Sequence, residues 1–250
     1  VNAVLPFTRR AVLHAVRDVE TLIESVLLPV VLMLMFVYVF GGALAGRSEA
    51  YLDFVVPAVV LVCAGFGAAT TAVSVARDMN EGMMDRFRTM DVPRWAPMLG
   101  HVLSSVLRNL VATAVVIAVA MLLGYRPGAG PLDWLGLLAA VTMWVLAITS
   151  VFAAIGVAAR SVEAASGYGF ALLFLPYASS AFVPIETMPT WLQGFARHQP
   201  MTPVVDTMRA FLGGESPGSS AGVMTVWCAA ITLLGLAGAG WAFARRQPRI

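Results

Sequence analysis

Six apolar runs, each about twenty residues long, alternate along this chain with short polar segments: residues 25–45, 54–75, 99–123, 134–159, 164–183 and 221–244. A helix rises about 1.5 Å per residue, so each run can cross a hydrocarbon core of roughly 30 Å. The pattern predicts an all-α integral membrane protein with six transmembrane helices. The first run starts too deep for a secretory leader and no small-residue cleavage pattern follows it, so it is expected to be retained as a span. The short connections leave room for one membrane domain over residues 1–250.

Three segments outside the runs carry helical periodicity of their own. In residues 1–24, Arg10, His14 and Arg17 recur on one helical face and Val12, Val16 and Val19 on the other. That is the pattern of a basic amphipathic helix lying in the headgroup plane. In residues 77–97, Met79, Met83, Phe87 and Met90 form a stripe opposite Glu81, Asp85 and Arg88, predicting a short helix that ends before Pro93. Two uses of the stripe stay open, burial in the membrane interface and docking into a groove of a soluble partner. In residues 184–220, Trp191, Leu192 and Phe195 follow Pro189, and Thr202, Pro203 and Gly213 sit where an N-cap, a first-turn proline and a terminal glycine would. Two short helices are predicted there, ahead of the last span.

Composition sharpens the picture. The chain is 59% hydrophobic and 12% charged, which excludes an ordinary soluble domain. All 16 basic residues are arginine, so neither a P-loop lysine nor a Schiff-base lysine is present, and any ATP hydrolysis must occur in another subunit. A net charge of +2 with scattered arginines gives no support for a nucleic-acid partner. Arginine placement does give an orientation. With the N-terminus inside, the inner segments hold eleven arginines, whereas the outer ones hold Arg47, Arg126, Arg197 and Arg209. Both termini are expected in the cytoplasm, with residues 77–97 inside and 184–220 outside. Arg108 lies about two turns into the third span, within reach of the inner interface.

Chemistry is sparse. Glu24, Asp53 and Asp133 sit at span ends, and the third, fifth and sixth spans hold no central carboxylate, which argues against an ion-coupled carrier. His101 with Ser104 and Ser105 is the one pairing that resembles a nucleophile and base, but no orienting carboxylate is near in sequence. No catalytic residues and no metal site are assigned, and Cys63 and Cys228 lie inside apolar runs as small hydrophobes. Ala64, Gly65, Gly67 and Ala68 in the second span, and Gly235, Gly238 and Gly240 in the sixth, are placed for close helix packing. Pro29, Pro57 and Pro176 remove backbone hydrogen bonds inside their spans.

The chain resembles the membrane subunits of type-2 ABC exporters, and within them the daunorubicin-resistance-like permeases. The likeness runs over essentially the whole sequence and is carried by ARDMNEGMMDRFRTMDVPR in the first inner loop and FVPIETMPTWLQGFARHQPMTPVVDTMRAFLGG before the last span. It implies that the inner loop forms a coupling helix seated in a cleft of an ATPase subunit, with Glu81, Gly82, Met83, Met84, Asp85, Arg86, Phe87 and Arg88 in that role. It also implies that Trp191, Leu192 and Phe195 belong to external helices capping the pathway. The partners implied are two copies of an ABC ATPase that hold ATP and Mg, a second permease of the same or related sequence, lipid, and a hydrophobic substrate whose binding residues are unassigned. The implied function is export of an amphipathic or hydrophobic compound across the bacterial plasma membrane, along a path near the first, second and fifth spans. A membrane scaffold without transport activity is the alternative.

Overall fold

The computed structural model describes residues 19–40, 48–81 and 96–245. Among these residues the chain is helical and contains no strand. Helix α1 (Val19–Met35) runs into a π turn at Phe36–Phe40; α2 (Ser48–Asn80), α3 (Ala96–Leu122) and α4 (Pro131–Ala158) follow, then the short α5 (Val162–Leu172). Two 3-10 turns, Leu175–Ala178 and Ile185–Thr187, lead to α6 (Thr190–His198), α7 (Met201–Gly213) and α8 (Gly218–Arg245).

Local chemistry sets the helix ends. Pro131 opens α4, and the Gly130 N–H donates to the Asp133 carboxylate at 2.9 Å, so this span-end acid acts as a cap. The Ser161 hydroxyl accepts from the Ala164 N–H at 3.2 Å and starts α5 after a connection of only three residues from the end of α4. Helix α2 continues through Pro57 without a break, because an apolar environment and packed neighbours leave the backbone no better hydrogen-bonding alternative.

Helix α4 is the centre of the bundle and packs against α2, α3, α7 and α8. Its Trp144 and Phe152 are fully buried, and the Trp144 indole N–H donates to the Leu61 carbonyl of α2 at 3.4 Å. Small residues let the backbones approach as expected: Gly67 of α2 lies against Asn109 of α3, and Gly235 of α8 lies against Ser150 of α4. Gly240 differs, since it faces open space.

Among the described residues four helices are long and apolar enough to cross a membrane, namely α2, α3, α4 and α8, and a shorter apolar helix covers Val26–Val39. The predicted fifth span at 164–183 is not one helix. Eleven residues of α5 give way to a 3-10 turn containing Pro176, whose ring removes an N–H and disfavours helix in the residue before it. The Ser179 hydroxyl then donates to the Pro176 carbonyl and accepts from the Ala181 N–H at 3.1 Å, which turns the chain back. A second correction concerns α7, which begins at Met201 after Pro200. Thr202 is therefore inside the first turn, where its hydroxyl serves tertiary partners instead of capping. The left-handed residue that ends the helix is Gly214, at φ 74°, one past the predicted Gly213. The N-terminal interfacial helix, apart from its last residues in α1, lies outside the described residues.

Candidate functional site

The antiparallel run of α2, α3 and α4 gives the bundle two ends. One end bears α6 and α7; at the opposite, basal end α2 stops at Asn80 and α3 starts at Ala96. Between α2 and α5, two adjoining cavities of about 550 and 260 Å³ lie along the basal half of α2. Val73, Ser166 and Phe170 line both; Phe66, Ala69 and Thr70 continue the wall upward, and Glu163 stands at the basal mouth. The groove exists because α5 offers serine and glycine at 166 and 167, which leave space that the larger Phe170 bounds on one side. Beyond it α5 and the following turn expose an aromatic edge, with Tyr168, Phe170 and Phe174 all more than half exposed. An apolar trough with one charged residue at its mouth can hold a hydrophobic or amphipathic molecule.

At the basal end, Glu81 is exposed in the turn that closes α2, its N–H bonded to the Arg77 carbonyl at 2.9 Å. The remaining predicted coupling residues, Gly82 through Arg88, lie outside the described residues. Just inside that end, the His101 Nε2 of α3 meets the Asp78 carboxylate of α2 at 2.8 Å. The two serines suggested as partners of His101 turn elsewhere: Ser104 donates to the Gly100 carbonyl at 2.8 Å, and Ser105 shares a 3.1 Å hydrogen bond with Thr149 of α4. A serine-based catalytic arrangement is thus absent around His101. Among the described residues no three histidine, cysteine or acidic side chains gather as a metal site would require.

The other end is tied by a polar network. Arg209 of α7 pairs with Asp206 at 2.8 Å, donates to the Ser180 carbonyl at 3.1 Å, and lies over the Phe54 ring of α2 at 4.3 Å. Ser180 donates in turn to Asp206 at 3.0 Å, and its N–H reaches the Thr202 hydroxyl, which donates to the Ala196 carbonyl at 2.6 Å. Burial lowers the Arg209 pKa while Asp206 opposes that shift; the guanidinium stays charged at neutral pH. Of the predicted cap residues, Leu192 packs with Ile185, Met188 and Ala196, whereas Trp191 is 78% exposed and Phe195 about half exposed. One face of α6, at 192 and 196, turns inward; the adjacent face, at 191 and 195, turns out.

The sequence model of the ABC-2 type transporter family matches residues 3–212. The chain belongs to that family. Among similar proteins is the daunorubicin resistance ABC transporter permease protein DrrB1 of Streptomyces coeruleorubidus, 35% identical over 86% of this chain and 77% of its own length. The probable doxorubicin resistance ABC transporter permease protein DrrC of Mycobacterium tuberculosis is 25% identical over 91% of this chain and 83% of its own length.

For this ABC-2 permease, sequence reading missed the Asp78–His101 pair and the Arg209–Asp206–Ser180 network. Asp78 and His101 come from different helices and Ser180 reaches α7 from an earlier turn, so no local spacing announces those contacts; only Asp206 and Arg209, three apart on α7, are neighbours in sequence. One signal was available: His101, Ser105, Asn109 and Thr113 recur every four residues along α3 and mark a polar face in an otherwise apolar helix.

Proposed function

We propose that this permease exports an amphipathic or hydrophobic compound of the drug or antibiotic class across the bacterial plasma membrane. The observation that carries the reading is the apolar groove between α2 and α5 in a chain of the ABC-2 family, lying in the half of the bundle nearer the end from which residues 82–95 emerge. The relatives named for daunorubicin and doxorubicin resistance support the substrate class. The basal end is cytoplasmic and both termini are inside, a reading that the arginine distribution supports. Two copies of a separate ATPase hold ATP and Mg, and a second permease, identical or related, completes the path beside the aromatic edge of α5. Residues 1–24, 77–97 and 184–220 act as interfacial helix, coupling loop and external helical segment. In the coupling loop Glu81 to Arg88 meet the ATPase, with Phe87 as the apolar anchor. Trp191 and Phe195, on the exposed face of α6, meet the outer membrane interface, where amphipathic aromatic rings are favoured.

The test is Phe87→Ala, purified with the ATPase, against Arg126→Ala as control. Truncating a buried anchor costs about 2 kcal/mol or more, while a rim charge costs less. Phe87→Ala should insert normally but lose retained ATPase or doxorubicin-stimulated hydrolysis. A Phe87→Ala complex indistinguishable from the control would leave the coupling role without support and favour the scaffold reading.

A further inference from the structure

Every fourth residue of α3 from His101 to Thr113 is polar, and the face so formed is turned inward: Ser105, Asn109 and Thr113 are buried, and His101 is mostly so. Successive contacts tie this face to different helices. His101 bonds Asp78 of α2, Ser105 bonds Thr149 of α4, and Asn109 donates to the Ser105 carbonyl at 2.9 Å while lying against Gly67 of α2. The lowest contact is the only one of the three that pairs ionisable groups, and it joins the two helix ends from which residues 82–95 emerge. Both side chains are about four-fifths buried, at 22% and 20% exposure, so separating them would leave a carboxylate without a partner in poorly hydrated surroundings.

We propose that Asp78 and His101 are positioning residues for energy coupling. The pair clamps the basal ends of α2 and α3, so that displacement of the loop between them moves both helices together instead of splaying them. Helix α2 carries Phe66, Ala69, Thr70 and Val73, one wall of the groove, so the clamped movement reaches the groove directly. Without the clamp the loop's displacement is dissipated in relative motion of the two helix ends. The inference rests on the exporter reading and on the coupling role of the loop.

The experiment uses the full permease–ATPase complex in nanodiscs, with a nitroxide on Ser166→Cys in a Cys63→Ser, Cys228→Ser background. Two quantities are read: ATP hydrolysis, and the change in nitroxide mobility on adding ATP with vanadate. Asp78→Ala and His101→Ala should each retain the ATPase and hydrolyse ATP, but the mobile-to-immobile change should shrink at least about fivefold, the lower range of measured coupling between sites. The swapped double variant, Asp78→His with His101→Asp, should recover the change, which a general loss of packing would not allow. Single variants that keep the full change overturn the proposal, as does a swap that fails to recover it. Phe87→Ala run alongside separates the two levels. Should the wild type show no nucleotide response, or Phe87→Ala behave as wild type, the exporter reading falls and the clamp with it. Should Phe87→Ala uncouple while the clamp variants respond normally, only the clamp is refuted.

Discussion

Alanine in place of glycine is expected to act in opposite directions at two helical positions of this bundle. A helix-interior Gly→Ala change gains up to about 1 kcal/mol from backbone entropy alone. At Gly240 of α8 a Cβ would meet nothing within 4 Å, so that gain stands unopposed. At Gly156 of α4 the same Cβ would lie 2.6 Å from the Ala72 carbonyl oxygen and 2.9 Å from the Val75 Cβ, both on α2. Ordinary contact begins near 3.4 Å, and a helix carbonyl cannot rotate away, so the two central helices must part by about 0.8 Å. Overpacking of this kind costs about 1–3 kcal/mol, about 2 at the middle of the range, which outweighs the propensity gain. The net loss at Gly156 is about 1 kcal/mol at the middle of that range, and for a chain of this size 1 kcal/mol moves the midpoint by about 2–4 °C, so Gly156→Ala should melt about 2–4 °C lower and Gly240→Ala about 2–4 °C higher. Cys63 and Cys228 are both buried, so a maleimide dye that fluoresces on reacting with thiols reports unfolding of the detergent-solubilised protein without added labels. A Gly156→Ala protein as stable as its parent, or an equal loss at both positions, would refute the argument that the α2–α4 contact is closed by backbone.

Two further outcomes follow from the geometry. In a background lacking Cys63 and Cys228, an impermeant maleimide on intact cells should label Glu215→Cys, exposed in the turn before α8, and spare Glu81→Cys at the base of α2; the reverse pattern overturns the orientation. Arg209→Ala removes an ion pair, a charged hydrogen bond and an aromatic contact, worth about 1.5–3 kcal/mol for the charged bonds alone, and should lower the detergent midpoint by about 4 °C or more. Trp191→Ala, at an exposed position, should move the midpoint far less, and a larger loss there than at Arg209 would contradict the described network.

Length and apolarity made the long helices legible, because a bilayer demands both and little else does. They could not say which helices are central. Both α2 and α8 read as apolar spans, yet 78% of the most apolar stretch of α2 is buried against 17% for α8, since lipid and protein core accept the same side chains. The fifth run misled for a related reason: its composition suits a span, and only the position of Pro176 marks where the helix gives way. At the cap, the run of Trp191, Leu192 and Phe195 reads as one apolar cluster, but helical geometry puts Leu192 on a different face from its two neighbours. The groove was the least legible feature, because it is made by what α5 lacks at Ser166 and Gly167 and by residues almost a hundred positions away on α2.

The network around Arg209 holds α2 at one end only. Phe54 meets the guanidinium there, and the Tyr51 hydroxyl reaches the Phe182 carbonyl at 3.4 Å; the groove that α2 walls lies below them. With 33 residues α2 is roughly 50 Å long, so a tilt of about 5° around this end would carry its basal end, joined to α3 through Asp78 and His101, about 4 Å. The Arg209 end would then be a fulcrum and the helix a lever, its length turning a small rotation into a displacement of several ångströms at the basal end.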